Sequence, residues 1–209
     1  MSTLLHIDAS PLGEASISRH LSALFVQKWQ QAHPDDKVIT RDLTTSEIQP
    51  VDGIWVGAAY TPEESRTAAQ KEALALSDTL IAELETADEY VFGTPMHNFG
   101  IPSTAKLWID QIVRVGRTFS YSESGPVGRL MGKKATFLIA SGGVYSKGTP
   151  MAPYDFVEPY LRAVFGFLGV DKTDFIVAGG AAAVMSGKVD RATFLKPFDE
   201  TIEARFKQT

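Results

Sequence analysis

The sequence predicts an α/β fold in which five parallel strands form a doubly wound sheet of order 2-1-3-4-5, with helices on both faces. Short apolar runs alternate with helical patterns along the whole chain, which is typical of βαβ units. Five such units can be placed and no sixth, which favours this order over the six-stranded dinucleotide-binding arrangement. The chain has 209 residues, of which 44% are hydrophobic. We therefore expect residues 1–209 to form a single domain.

The first two strands are predicted on either side of one amphipathic helix. An apolar run predicts a strand over Leu4–Asp8, and apolar residues at helical spacing predict a helix over 19–32. Ser18 is the expected N-cap of that helix. A second strand is predicted over Lys37–Asp42. The next stretch, 43–66, is expected to be a long irregular loop, and loops of that length in compact domains are usually functional or mobile.

The remaining elements follow from the same patterns. A broad apolar face predicts a helix over 67–86, and Ser103 is expected to cap a helix that ends near Val115. An irregular arm is expected over 116–134. Strands are predicted over 89–93, 135–140 and 173–178, and helices over 156–168 and 187–206.

Composition excludes several classes of function. The formal net charge is −5, from 20 basic and 25 acidic residues with no block of one sign, so we expect no nucleic-acid partner. The absence of cysteine excludes disulfides, thiolate nucleophiles and thiolate metal sites, and we predict no metal. We find no signal-peptide pattern and no apolar run of about 18 residues, so we expect no membrane partner and a cytoplasmic location.

The loop after the first strand, "SPLGEASIS", is predicted to bind one phosphate. Ligands of open α/β sheets bind beyond the carboxyl ends of the strands where the strand order reverses, here between strands 1 and 3. A helix N-terminus offers free N–H groups and a partial positive charge, and Ser10, Ser16 and Ser18 add hydroxyls. The glycine-rich signatures of triphosphate and dinucleotide sites are absent. The alternative is that these serines act only in the turn and the cap.

The loop after the third strand is predicted to border a planar ring. Pro95 and Pro102 restrict its backbone, and its main-chain N–H groups could bind heteroatoms while Met96 and Phe99 lie along the ring. His97 is the only histidine in a candidate loop. A neutral structural imidazole explains it at least as well as a catalytic acid, so we predict no catalytic side chain.

The loop after the fourth strand is predicted to line the opposite edge of the ring. Gly142 and Gly143 allow close approach of the backbone, and Tyr145 could close over the ligand. A plain turn is the alternative. One terminal phosphate, one flat heteroaromatic ring and glycine-lined edges together describe flavin mononucleotide, FMN.

Several segments resemble a known family. "SPLGEASIS", "TPMHNFGIPSTAKLWID", "GRTFSYSESGPVG", "GKKATFLIASGG" and "PYLRAVFGFLGV" are similar to the corresponding segments of the FMN-dependent NADH azoreductase and quinone reductase family, which has a flavodoxin-like fold. With "QKEALALSDTLIAEL", the resemblance covers nearly the whole chain. The family often has tyrosine at the position of His97, and a longer S-R-G-G turn where this chain reads "ASGG".

The resemblance implies roles for individual residues. The set that would bind the phosphate is Ser10, Ser16, Ile17 and Ser18. The set that would border the isoalloxazine is Met96, His97, Asn98 and Phe99. The set that would line the other edge of the ring is Ser141, Gly142 and Gly143. Tyr121 is implied to lie near the substrate side of the flavin, and a packed surface aromatic is the alternative.

The resulting prediction is a flavoenzyme that takes electrons from NADH or NADPH and reduces quinones or azo compounds by a ping-pong, two-electron sequence. We find no basic cluster for a 2′-phosphate, which favours NADH. The alternative is a flavodoxin-type carrier of single electrons.

We also predict a homodimer in which the segments carrying Trp55, Tyr60 and Tyr121 help to wall the active site, because aromatic residues in non-core segments suit an interface.

Overall fold

The computed structural model describes residues 1–207, which contain seven strands, seven α-helices and three short 3-10 helices. The strands are β1 (Thr3–Asp8), β2 (Lys37–Asp42), β3 (Glu89–Pro95), β4 (Phe119–Ser122), β5 (Gly125–Gly128), β6 (Lys134–Ser141) and β7 (Lys172–Gly179). The helices are α1 (Ile17–Ala32), α2 (Gly53–Tyr60), α3 (Ala68–Thr86), α4 (Ser103–Ile112), α5 (Glu158–Phe167), α6 (Ala182–Met185) and α7 (Arg191–Phe206).

Five strands form one parallel sheet in the order β2-β1-β3-β6-β7. Because β6 and β7 are its fourth and fifth strands, this is the predicted order 2-1-3-4-5, and the fold class is confirmed. The order reverses between β1 and β3, where Asp8 pairs with Gly93. The carboxyl ends of β1, β3 and β6 therefore lie side by side, and this edge of the sheet is where a ligand is expected.

Helices cover both faces of the sheet, because successive strand side chains point to opposite sides. On β3, Val91 belongs to a buried cluster with α1 and α7, while Tyr90 and Phe92 belong to a second cluster on the other face. The first cluster includes Leu21, Phe25, Trp29, Leu195 and Ile202. The second includes Leu80, Ile81, Leu84, Trp108 and Phe165 from α3, α4 and α5.

The stretch 43–66 is not an irregular loop throughout, because it contains α2. The Asp52 carboxylate caps this helix by accepting a hydrogen bond from the N–H of Trp55 at 2.8 Å. Ile54 and Val56 are exposed, whereas Trp55 is buried. Apolar residues therefore occupy both faces of α2, which hides the periodicity that would have predicted a helix.

The arm 116–134 is also more regular than predicted. It contains an antiparallel hairpin of β4 and β5, in which Phe119 pairs with Gly128 and Tyr121 pairs with Pro126. The two strands have only four residues each. Such short strands give too few alternating positions for a periodicity argument.

Three predicted helix starts were wrong. Ser16 rather than Ser18 caps α1, since its Oγ accepts a hydrogen bond from the N–H of Arg19 at 3.2 Å. Ser103 is already the first residue of α4, so Pro102 occupies the N-cap position and no side chain caps the helix. The last long helix begins after its N-cap Asp190 rather than at Gly187, and the short helix α6 lies before it.

Candidate functional site

The loops after β1, β3 and β6 converge on one cavity of about 330 Å³ at the predicted edge of the sheet. This volume lies within the range of small-molecule sites in proteins. All three predicted loops contribute to its wall. The predicted residues that line it are Ser10, Ser16, Ile17, Met96, His97, Ser141 and Gly142. Asn98, Phe99 and Gly143 lie in the same loops, and Ser18 is fully buried next to Ser16.

The first loop presents unpaired donors at the start of α1. The N–H groups of Ile17 and Ser18 belong to the first turn of the helix and have no acceptor among residues 1–207. The hydroxyls of Ser16 and Ser18 lie 3.2 Å apart. These donors and the helix dipole together make this end of α1 favourable for an anion.

Arg19 holds the first loop in place through hydrogen bonds to the loop and to β2. Its Nε donates to the main-chain carbonyl of Ser10 at 2.7 Å, and its guanidinium donates to Oδ1 of Asp42 at 2.7 Å. The hydrogen bond from Arg19 lowers the pKa of Asp42 to about 2. The first loop is thereby tied to the carboxyl end of β2.

Gly93 allows α1 to approach the sheet closely beneath the cavity. A Cβ at this position would lie 2.4 Å from Oδ1 of Asp8 and 2.8 Å from Oγ of Ser22. Those two atoms already share a hydrogen bond of 2.7 Å. Any side chain at residue 93 would therefore displace this buried pair.

The second loop makes a tight turn with two residues in the left-handed region. The N–H of Gly100 donates to the carbonyl of His97 at 3.0 Å, and φ is 48° at Asn98 and 72° at Phe99. Asparagine tolerates this conformation, whereas phenylalanine pays roughly 1–2 kcal/mol for it. The N–H groups of Asn98 and Phe99 have no acceptor within residues 1–207.

The Phe99 ring packs with two aromatic side chains, neither of which lines the cavity. Its centroid lies 5.3 Å from the ring of Tyr154 and 6.1 Å from that of Tyr145. The carbonyl of Phe99 also accepts a hydrogen bond from the N–H of Phe156 at 3.0 Å. Tyr145, which was predicted to close over a ligand, therefore packs near the second loop. Tyr154 was missed, since no spacing in the sequence relates it to Phe99.

In the third loop, two main-chain carbonyls are hydrogen-bonded and the neighbouring N–H groups are left without an acceptor. The carbonyl of Ser141 accepts from the N–H of Ala181 at 3.0 Å, and that of Gly142 accepts from Ala182 at 3.2 Å. A trans peptide places its N–H opposite its C=O, so the N–H groups of Gly142 and Gly143 point away from that contact. Neither has an acceptor in the part of the chain that the structure describes.

The aromatic residues predicted on the substrate side are dispersed. Trp55 packs against Ala58 and Leu74, and its Nε1 donates to Oε1 of Gln111 at 2.8 Å. Its ring is buried within this chain and does not line the cavity. Tyr60 and Tyr121, in contrast, are 69% and 67% exposed.

Sequence reasoning missed the C-terminal side of the cavity. Val184 and Met185 of the unpredicted helix α6 line it, and so does Arg191 at the start of α7. These residues follow the last strand of the sheet, where the sequence patterns predicted no site residue. They reach the cavity only because the C-terminal part of the chain folds back onto the first loop.

Two features are absent from the residues that the structure describes. The residues that the structure describes contain no cluster of three or more histidine or acidic side chains placed to hold a metal ion. No helix within residues 1–207 is both long and apolar enough to cross a membrane.

The comparisons with known proteins agree with this fold and site. A family model described as "Flavodoxin-like fold" matches residues 2–201. An FMN-dependent NADH:quinone oxidoreductase of Acidobacterium capsulatum is 55% identical over 197 residues, which cover 94% of this chain and 95% of that protein. FMN-dependent NADH:quinone oxidoreductase 3 of Burkholderia lata is 49% identical over 206 residues, which cover 99% and 100%.

A solved structure supports the same relationship. An azoreductase from Bacillus anthracis superposes with a TM-score of 0.89 at 28% identity, over 100% of both chains. The fold and the cavity thus define a protein of the flavodoxin-like class. The chain belongs to that family and, within it, to the FMN-dependent NADH:quinone oxidoreductases. The resemblance seen in the sequence is confirmed.

Proposed function

We propose that this chain binds FMN and uses NADH to reduce quinones and azo compounds. The observation that carries the proposal is that three loops line one cavity and that each carries a pair of main-chain N–H groups without an acceptor in residues 1–207. The pairs are Ile17 with Ser18, Asn98 with Phe99, and Gly142 with Gly143, and Ile17 and Gly142 line the cavity directly. A ligand with an anionic end and a ring rich in acceptors satisfies all three, and the relatives are named as FMN-dependent enzymes.

The residues of the first loop would hold the phosphate. The N–H groups of Ile17 and Ser18 and the hydroxyls of Ser10, Ser16 and Ser18 are the available donors. Hydrogen bonds to a charged group are stronger than neutral ones, so this loop would supply much of the affinity. Nothing in the first loop offers a second phosphate site, and FMN is therefore favoured over FAD.

The second and third loops would border the isoalloxazine. Met96 and His97 line the cavity on one side, and Ser141 and Gly142 line it on the other. The free N–H groups of the third loop would favour negative charge at the edge of the ring. We assign no proton transfer to His97.

The bound flavin supplies the transfer of two electrons from NADH to the acceptor, and the protein supplies binding, orientation and electrostatics. The aromatic cluster formed by Phe99 of the second loop, Tyr145 of the third loop and Tyr154 would border the donor and the acceptor in turn. One shared place for both substrates requires a ping-pong sequence. Use of NADPH stays open, although the names of the relatives specify NADH.

A flavodoxin-type electron carrier is not supported, because the relatives are named as oxidoreductases of quinones. The cytoplasmic location stays a prediction.

We further propose that the chain forms a homodimer, since α2 and the β4–β5 hairpin expose large apolar side chains. They include Ile54, Val56, Tyr60, Tyr121 and Val127. Light scattering at micromolar concentration should give twice the chain mass, and a fully active monomer would overturn this part of the proposal.

The proposal is tested by titrating the flavin-free protein with FMN, FAD and riboflavin. We expect one equivalent of FMN to bind per chain, with weaker binding of the other two flavins. The bound protein should then oxidise NADH in the presence of a quinone or an azo dye. A chain that does not take up FMN, or that prefers FAD, would overturn the proposal.

A further inference from the structure

Arg191, the first residue of α7, reaches the serine loop and binds three of its main-chain carbonyls. One terminal nitrogen donates to the carbonyl of Ala15 at 2.7 Å. The other donates to the carbonyls of Ser16 at 3.0 Å and Glu14 at 3.2 Å. The contact with Ser16 joins residues 175 positions apart, and Arg191 also lines the cavity.

These hydrogen bonds help to fix the direction of the donors at the start of α1. In a trans peptide, the carbonyl of Ser16 and the N–H of Ile17 point in opposite directions. The Ser16 carbonyl also accepts the first hydrogen bond of α1, from the N–H of His20 at 3.3 Å. Arg191 therefore adds a shorter, charged donor to this carbonyl and reinforces the direction of the Ile17 N–H, which has no acceptor among residues 1–207. The carbonyls of Glu14 and Ala15, which lie before the helix, are held in the same way.

The Arg191 guanidinium keeps its charge available. Its three hydrogen bonds go to neutral carbonyl oxygens, and the described residues place no carboxylate within 4.0 Å of it. Arg19, in contrast, pairs with Asp42. A cation at a helix N-terminus is disfavoured by the helix dipole, so the stability of α7 does not explain an arginine at this position.

We propose that Arg191 is a positioning residue for the cofactor phosphate. It holds the serine loop with its donors directed outward and adds an unpaired positive charge to the wall of the same cavity. The docking of α7 is thereby coupled to the binding of the phosphate. This inference rests on the proposed function, and it confines the effect of Arg191 to flavins that carry a phosphate.

The test compares FMN with riboflavin, which lacks the phosphate. Flavin-free full-length protein is titrated with each ligand, and the quenching of flavin fluorescence gives both dissociation constants. The variants are Arg191→Ala, Arg191→Gln and Arg191→Lys. The matched control is Arg205→Ala, which removes an arginine from the other end of α7, where it pairs with Asp174 at 2.7 Å.

We expect the Kd for FMN to rise at least tenfold in the alanine and glutamine variants, while the Kd for riboflavin changes less than twofold. The lysine variant should lose less, since it keeps the charge without the forked donors. Arg205→Ala should change neither constant.

Two results with folded variants would overturn the inference. Equal loss of both ligands would show that Arg191 only supports the fold, and an unchanged Kd for FMN would show that it does not act on the phosphate. Should Arg191→Ala fail to fold, the same criteria apply to the glutamine and lysine variants. A wild-type chain that does not bind FMN would overturn the proposed function and this inference together.

Discussion

Arg19 and Asp42 form a hydrogen-bonded ion pair of 2.7 Å that joins the first turn of α1 to the carboxyl end of β2. The same arginine also holds the carbonyl of Ser10. The pair therefore has two consequences, one for stability and one for the shape of the serine loop.

The stability consequence depends on pH. Asp42 has a pKa lowered from 3.8 to about 2, chiefly by the hydrogen bond from Arg19. A carboxyl with a lowered pKa contributes stability above its unfolded pKa and loses it as the pH falls toward the folded pKa. We expect Asp42→Asn to lower the free energy of unfolding by about 1–2 kcal/mol at pH 7, and by about half as much at pH 3.

Urea denaturation of both proteins at the two pH values measures this difference. An equal loss at pH 7 and pH 3 would show that the charge of Asp42 does not matter. Asp35→Asn, at an exposed residue in the turn before β2, serves as the control and should change neither value.

The hydroxyls of Ser16 and Ser18 are expected to bind the phosphate in addition to serving α1. Replacing both with alanine should weaken FMN binding by about 1–3 kcal/mol, because bonds to a charged group are lost. The matched control is the pair Ser122 and Ser124, whose hydroxyls lie 2.9 Å apart in the exposed hairpin turn. If affinity for FMN is retained in Ser16→Ala/Ser18→Ala, only the cap and packing role remains.

Gly93 is expected to tolerate no side chain. Gly93→Ala should destabilise the fold by several kcal/mol, or abolish it, because the new Cβ meets Asp8 and Ser22 at less than 3 Å. Gly166→Ala is the control, since nothing lies within 4 Å of a Cβ there and alanine favours the α5 helix by about 0.5–1 kcal/mol. Thermal denaturation compares the two, and similar melting temperatures would contradict the close packing at Gly93.

Trp55 is expected to contribute to stability and not to flavin binding. Trp55→Phe leaves the buried Oε1 of Gln111 without its donor, which should cost about 1–3 kcal/mol of unfolding free energy. Replacing both residues with apolar ones should recover part of that loss. A marked fall in FMN affinity in Trp55→Phe would return this residue to the active-site wall.

The sheet order and the converging loops could be predicted from the sequence because both depend on local signals. Alternating strands and helices fix the parallel topology, and the topology alone places the carboxyl ends of strands 1, 3 and 4 side by side. The serine-rich and glycine-rich loops then stand out by composition.

The features that were missed depend on contacts between distant parts of the chain. Trp55 looks like an aromatic in a loop until Gln111 is placed beside it by α4. Arg191 is an ordinary helix residue in the sequence, and only the packing of α7 against α1 brings it to the serine loop. The helix α2 was missed for a local reason, since apolar residues on both faces conceal its period.

The central claim is most directly tested by anaerobic rapid mixing of the FMN-loaded protein with NADH, followed by a quinone such as menadione. We expect NADH to bleach the visible absorption of the bound oxidised flavin before any quinone is added. The quinone should then restore it in a single phase, and steady-state double-reciprocal plots should be parallel, as a ping-pong sequence requires. A flavin that NADH reduces only when quinone is present, or intersecting plots, would contradict the account.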